Sequence, residues 1–264
     1  PHDLYQEAIQ HIDNNKLIVS IDDTVLDKPY SQHMDLVSYF WSGKHHRSVK
    51  GINLITLYAT DQNGQNIPIN FRIYDKSEGK TKNDYFMDML SEVLSWGAKI
   101  QFITGDSWYS STGNLKTIRK YGIRFMFGID CNRKVSPEKG QWFQLRLLPN
   151  FHQGQVVWLK DFGFVQLFKT QLKEQQRFYI VHQDEDDLLS FEGFHELHSS
   201  HWKIEQYHRV IKQVCHIEKF QVRRSKLILN HIFSALMAYV EIQKNQFERI
   251  FENVYRWQKK LFRP

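Results

Sequence analysis

FEGFHELHSSHWKIEQYHRVIKQVC, residues 191–215, is the stretch whose reading decides the fold. It carries no Gly after Gly193 and no Pro, the pattern of a long helix. Leu197, Ile204, Tyr207, Ile211 and Val214 recur at helical spacing and should face a core. Another face gathers His198, His201, Glu205, His208, Arg209 and Lys212. Taken alone, such a polar stripe is a solvated face. It acquires chemistry only if acidic residues elsewhere are built to meet Glu205.

Two upstream segments supply them. KLIVSI, residues 16–21, is a short apolar, β-branched run that reads as a buried strand ending at Asp22-Asp23-Thr24. KIQFIT, residues 99–104, is a later strand ending at Gly105-Asp106-Ser107. Between them, 52–60 and 67–74 form a hairpin around the turn at 61–64, and 81–96 a helix closed by Gly97. A short helix over 4–14 precedes the first strand. Residues 26–51, with Pro29, Gly43 and a basic cluster, read as a charged loop. A helix over 110–121 and a strand over 123–129 follow.

The texture then changes. From 132 to 182 the pattern is strands and turns broken by Gly140, Gly154 and Gly163. An acidic linker over 184–187 leads into the opening helix, and 225–243 is a further amphipathic helix. The fold class is therefore α/β: a mixed sheet flanked by helices, interrupted by a small antiparallel β insertion before the last polar-striped helix. The expected boundaries are 1–131 and 183–264 for the core and 132–182 for the insertion.

Composition narrows the function. The chain has 264 residues, 41% hydrophobic and 14% aromatic, enough for a substantial core. A net charge of +6 leans toward a polyanionic partner. Cys131 and Cys215 form no CxxC clip or disulfide framework, which fits a reducing cytosol. No apolar run is long enough to span a membrane, so no membrane partner is expected. The abrupt start at PHDLYQ suggests a missing upstream segment.

Carboxylates at strand ends are rigidly aimed. If the strands ending at Asp22 (or Asp23) and Asp106 lie side by side, both acids project at one edge, and Glu205 can complete the set. Three hard oxygen ligands suit Mg²⁺ or Mn²⁺. Two such ions about 4 Å apart can drive phosphodiester cleavage. Each acid alone reads as a cap, a turn or a surface residue; the case rests on all three falling in order on the right elements. A zinc site built from His195, His198, His201 and Glu205 lacks both the HExxH pattern and any cysteine.

The segments IDDTVLDKPYS, GKHHRSVKG, ITGDSWYS and HWKIEQYHRVIKQ, with EKFQVR after them, resemble the DDE transposases of bacterial insertion sequences. More narrowly, the chain is similar to the cut-and-paste branch with a β-strand insertion and a Tyr-x2-Arg-x3-Glu-x6-Lys signature. Glu205 and Lys212 match the Glu-x6-Lys half, while His198 and His201 stand where that branch has Tyr and Arg. The resemblance implies an RNase H-like core. It implies Asp22, Asp106 and Glu205 as catalytic residues holding two Mg²⁺ (or Mn²⁺) ions, with Asp23 turned to the other side of the strand or into the loop. It implies double-stranded DNA partners (terminal inverted repeats and target), a homodimer on paired ends, and a bacterial, nucleoid-associated cytoplasmic setting. The activity implied is cleavage at transposon ends followed by strand transfer. An RNase H-like nuclease without strand transfer and a domesticated DNA-binding protein are the alternatives.

The basic residues then have a partner. Lys212, His198, His201 and Arg209 on the helix, Lys44, His46, Arg47 and Lys50 after the first strand, and Arg223 and Arg224 after the helix become DNA-backbone candidates. Trp142 and Trp158 lie in the insertion, where size favours core packing. In the resembled enzymes an insertion aromatic stacks on a flipped base, which makes Trp158 a DNA-contact candidate.

Overall fold

The structure, a computed structural model, describes every residue except 44, 173–174, 183–186, 251–252 and 262–264. Helix α1 (His2–Ile9) leads into strands β1 (Leu17–Asp27), β2 (Ser38–Ser42), β3 (Arg47–Thr60) and β4 (Asn66–Ile73). Helix and strand then alternate through α2 (Lys82–Ser95), β5 (Ile100–Gly105), α3 (Thr112–Lys120) and β6 (Arg124–Ile129). Five strands follow: β7 (Lys134–Ser136), β8 (Phe143–Gln144), β9 (Gln155–Leu159), β10 (Gly163–Leu172) and β11 (Gln175–His182). The chain continues through α4 (Phe191–Gln213), α5 (Ser225–Phe247) and α6 (Val254–Leu261).

The strands form one sheet in the order β2-β3-β1-β5-β6-β11-β10-β9-β7-β8, with β4 pairing β3. β1, β5 and β6 run parallel at its centre, and β3 and β11 flank them antiparallel. The two acid-bearing strands are thus neighbours. Their pairing also explains where the acids sit. β1 and β5 pair only as far as Ile21↔Gly105, whereas β1 stays paired with β3 through Asp27↔Gly51. The sequence places the end of the first strand at Ile21; the strand runs on, and what ends there is its parallel neighbour. Asp22 is held on a continuing strand, beside the gap that β5 leaves.

Gly105 is the hinge of that gap. A Cβ there would stand 2.6 Å from the Phe127 ring and 2.8 Å from Ile21, so only glycine allows β5 this close before Asp106 turns out. The charged loop expected over 26–51 is in part a hairpin: β2 pairs the start of β3, from Ser38↔Gly51 to Ser42↔Arg47. The strands of 132–182 continue the same sheet, because β11 pairs β6 antiparallel from Phe178↔Ile129 to His182↔Phe125.

α4 crosses one face of this sheet. Ser190 caps it by accepting from the Gly193 N–H at 3.1 Å. Its first half buries Phe194 and Leu197 on Met126, Phe168, Tyr179 and Val181, with Phe194 stacked on Phe168 at 4.5 Å. Its second half buries Tyr207 against Tyr58 and Tyr239, which brings α5 onto the same face. The opposite face is covered by α2, where Phe86 meets Tyr109 and Phe127. A capping box, Thr81 with Asp84, starts α2.

Candidate active site

The helix that crosses the sheet carries Glu205 and His208 to Asp22. Ligand atoms of these three side chains all lie within 4.8 Å of one another. Asp22 Oδ1 accepts from the Asp23 N–H at 2.8 Å, and Asp22 Oδ2 faces His208 Nδ1 at 3.6 Å. Burial, then the charges of Asp106, Asp23 and Glu205, hold the Asp22 carboxyl well above the usual range. Among the described residues no Lys or Arg pairs with Asp22 or Glu205. Burial, helped by the charge of Lys212, pulls the His208 imidazole down to about 3, so it stands neutral.

Asp106 leaves the end of β5 and caps the turn that follows, accepting from the Trp108 N–H at 3.0 Å. The residue keeps solvent access, yet the protein crowded around its carboxyl, then the charge of Asp23, push it up to about 6. Asp106 is thus in the electrostatic field of Asp22 but outside the three-residue cluster. Asp23 is engaged elsewhere. Its oxygens take the Tyr109 hydroxyl at 2.9 Å, the Lys82 ammonium at 2.7 Å and the Asn53 amide at 2.5 Å. That leaves Asp23 as a buttress between β1, β3, α2 and the turn after β5.

The remaining candidates scatter. His201 Nδ1 lies 3.2 Å from Thr104 Oγ1, which meets Ser20 Oγ at 2.8 Å, so His201 rests on the floor formed by β5 and β1. Burial, then the charge of His198, pull it down to about 4. His198 Nε2 pairs with the Tyr179 hydroxyl at 3.0 Å. Lys212 donates to the Val25 carbonyl at 2.6 Å and pairs with Glu218 at 3.2 Å. Its ammonium lies three residues past Asp22 along β1, roughly 10 Å by strand rise. Arg209 is exposed and lines a groove with Lys203, Gln206 and Tyr239. His46 and Arg47 are exposed at the turn between β2 and β3, Lys50 donates to the Ser31 carbonyl, and Arg223 and Arg224 are exposed between α4 and α5. Lys44 lies outside the described residues.

The insertion tryptophans are not in a core. Trp142 is 44% exposed and Trp158 42%. Alternation along β9 turns Val157 and Leu159 inward and Val156 and Trp158 outward. Trp158 faces its cross-strand partner Phe164, rings 4.8 Å apart and edge-on. In the sheet order it stands five strands from β1, about 24 Å at the usual spacing. His208 received no role from the sequence, although it shares the polar stripe of Glu205 one turn on; Lys82, Asn53 and Tyr109 carried no signal, because only tertiary contact brings them to Asp23.

A family model described as the transposase DDE domain matches residues 13–240. The chain belongs to that family. No curated protein sequence matches this DDE domain. Among solved structures it is similar to piggyBac transposase in its synaptic complex with hairpin DNA. The TM-score is 0.50 at 13% identity, over 92% of this chain and 56% of that one. The DDE domain thus spans little more than half of that transposase, and the likeness is one of fold: an RNase H-like mixed sheet flanked by helices. The Drosophila P element transposase strand transfer complex overlaps it with a TM-score of 0.24 at 13% identity, over 44% of this chain and 23% of that one. Marinitoga piezophila Argonaute with 5′ OH guide RNA and target DNA gives 0.26 at 9% identity, over 75% and 25%.

The family implies divalent metal, and the donor set fits it. Asp22 and Glu205, with no Lys or Arg paired to either among the described residues and a neutral imidazole beside them, are a cation's surroundings rather than an ion pair's. Among the described residues no helix is long and apolar enough to cross a membrane.

Proposed function

We propose that this DDE domain is the catalytic part of a transposase that cuts DNA at transposon ends and joins the cut strand to target DNA. The observation that carries the reading is the meeting of Asp22 and Glu205, far apart in sequence, beside the gap where β5 ends and Asp106 turns out. Asp22, Asp106 and Glu205 would hold the divalent cations, two Mg²⁺ or Mn²⁺ ions. When bound, these supply a water or 3′-hydroxyl activated for in-line attack at phosphorus and a stabilised leaving oxygen.

The chain's own residues do the rest. β1 and β5 fix the two aspartates, and the Asp23 contacts brace them. Lys212, placed along β1 from the acids, would meet a phosphate beside the cut after exchanging Glu218 for it. Arg209, His198, His201, His46, Arg47, Lys50, Arg223, Arg224 and Trp158 are proposed contacts to the flanking duplex, and Lys44 joins them on its sequence position alone. Residues 1–131 and 183–264 would form the catalytic core and 132–182 its insertion. A homodimer on paired ends, acting on bacterial DNA in the cytoplasm, completes the reading.

The test is Asp106→Asn. Mg²⁺-dependent strand cleavage should be lost while DNA binding persists; full cleavage by that variant overturns the assignment. Joined-strand products separate a transposase from a nuclease that only hydrolyses.

A further inference from the structure

A nitrogen donor stands among the carboxylates. His208 lies one helical turn after Glu205 and faces β1, 6% exposed. Its Nδ1 is 3.6 Å from Asp22 Oδ2, beyond hydrogen-bonding distance, and its Nε2 finds no partner among the described residues. The Tyr207 ring beside it, with centroids 5.2 Å apart, donates its contacts elsewhere: its hydroxyl meets Thr56. A buried imidazole with neither nitrogen hydrogen-bonded is costly, and such groups in folded proteins call for an explanation. The spacing supplies one for Nδ1, the nitrogen that faces Asp22. Two atoms that bind a single cation at about 2.1 Å lie roughly 3 to 4 Å apart, and the Asp22–His208 separation falls in that range.

We propose that His208 Nδ1 is a ligand of the cation held by Asp22 and Glu205, and that this nitrogen tilts the site toward Mn²⁺ over Mg²⁺. The proposal rests on the carboxylate site set out above. Mg²⁺ is hard, favours oxygen and sheds water reluctantly; imidazole suits transition metals, and Mn²⁺ accepts a mixed oxygen and nitrogen shell more readily than Mg²⁺. The i, i+3 spacing of Glu205 and His208 gives one helix turn two of the three donors, so the helix and β1 close on the ion together.

Pulsed electron paramagnetic resonance of the Mn²⁺-loaded protein reads the bond directly. The wild type should show nitrogen hyperfine modulation from the bound imidazole, and His208→Gln should lose it. By calorimetry His208→Gln should bind Mn²⁺ about tenfold or more weakly, the size expected when a metal's surroundings are disturbed, with Mg²⁺ affinity changed less. His208→Asp, with oxygen in place of nitrogen, should bind again and shift its preference to Mg²⁺. Wild-type protein that binds Mn²⁺ without nitrogen modulation overturns the role of His208 and leaves the carboxylate site standing. Unchanged Mn²⁺ binding in Asp22→Asn overturns the carboxylate site itself.

Discussion

Asp22 and Asp23 project to opposite faces of β1, and their surroundings differ accordingly: a cluster with Glu205 and His208 for one, three donors for the other. Strand parity makes the division legible in sequence; the partners are not, since Lys82 and Tyr109 arrive from other elements. Two titrating groups nearby act on stability in opposite directions. Asp106 is pushed up to about 6, so the folded state keeps its proton while the unfolded chain has released it near pH ~4. Its contribution therefore falls as pH rises from about 4 to about 6. His201 is pulled down to about 4, whereas the unfolded chain binds that proton near ~6.5. Its contribution is present above that value and is lost as pH falls toward about 4. In metal-free thermal melts, Asp106→Asn should gain on the wild type as pH goes from about 4 to about 7. His201→Gln should gain on it in the reverse direction. Parallel profiles for all three proteins would refute both assignments.

At the scale of elements, the periodic ones were legible. The apolar runs of β1 and β5 and the helical stripe of α4 place the three acids in order on β1, just past β5 and on α4. What sequence reasoning missed was pairing. The tail of β1, β2 and the start of β3 carry Asp27, Lys50 and Arg47 and show no apolar alternation, so they read as loop. They are strands because the tail of β1 and β2 each pair β3, and the start of β3 in turn has β2 as its partner. The insertion tryptophans, which size assigns to a core, both stand exposed; on β9 and β10 strand parity turns Trp158 and Phe164 out together. The junction of β5 with Asp106 yields a direct test. Gly105→Ala forces a Cβ to within 2.6 Å of Phe127, and such overpacking costs about 1–3 kcal/mol. Denaturant midpoints should register that loss, and Mn²⁺ affinity should fall with it as Asp106 is displaced. An unaltered midpoint would mean that the approach of β5 to β6 is looser than these distances imply.

For the molecule as a whole, charge and topology set the expectations. A net charge of +6 is modest, so DNA affinity should depend on where the cations sit. Arg47, exposed at the tip of the β2–β3 hairpin, is free of the core. Arg47→Ala should lower the slope of log affinity against log salt by about one contact, uniformly across DNA sequences. An unchanged slope would remove that hairpin from the DNA surface. The sheet holds one further consequence. Where β1 outruns β5, its backbone on that side meets side chains instead of a strand: the Val25 carbonyl accepts from Lys212 and the Asp27 N–H donates to Glu218 at 3.2 Å. Lys212 is thus a guard on an open strand edge in the middle of the molecule, the kind of edge that templates aggregation when bared. Lys212→Met should then raise light scattering in DNA-free protein, apart from any loss of phosphate contact. A lysine that leaves this post for DNA uncovers the edge only when a nucleic acid is there to cover it.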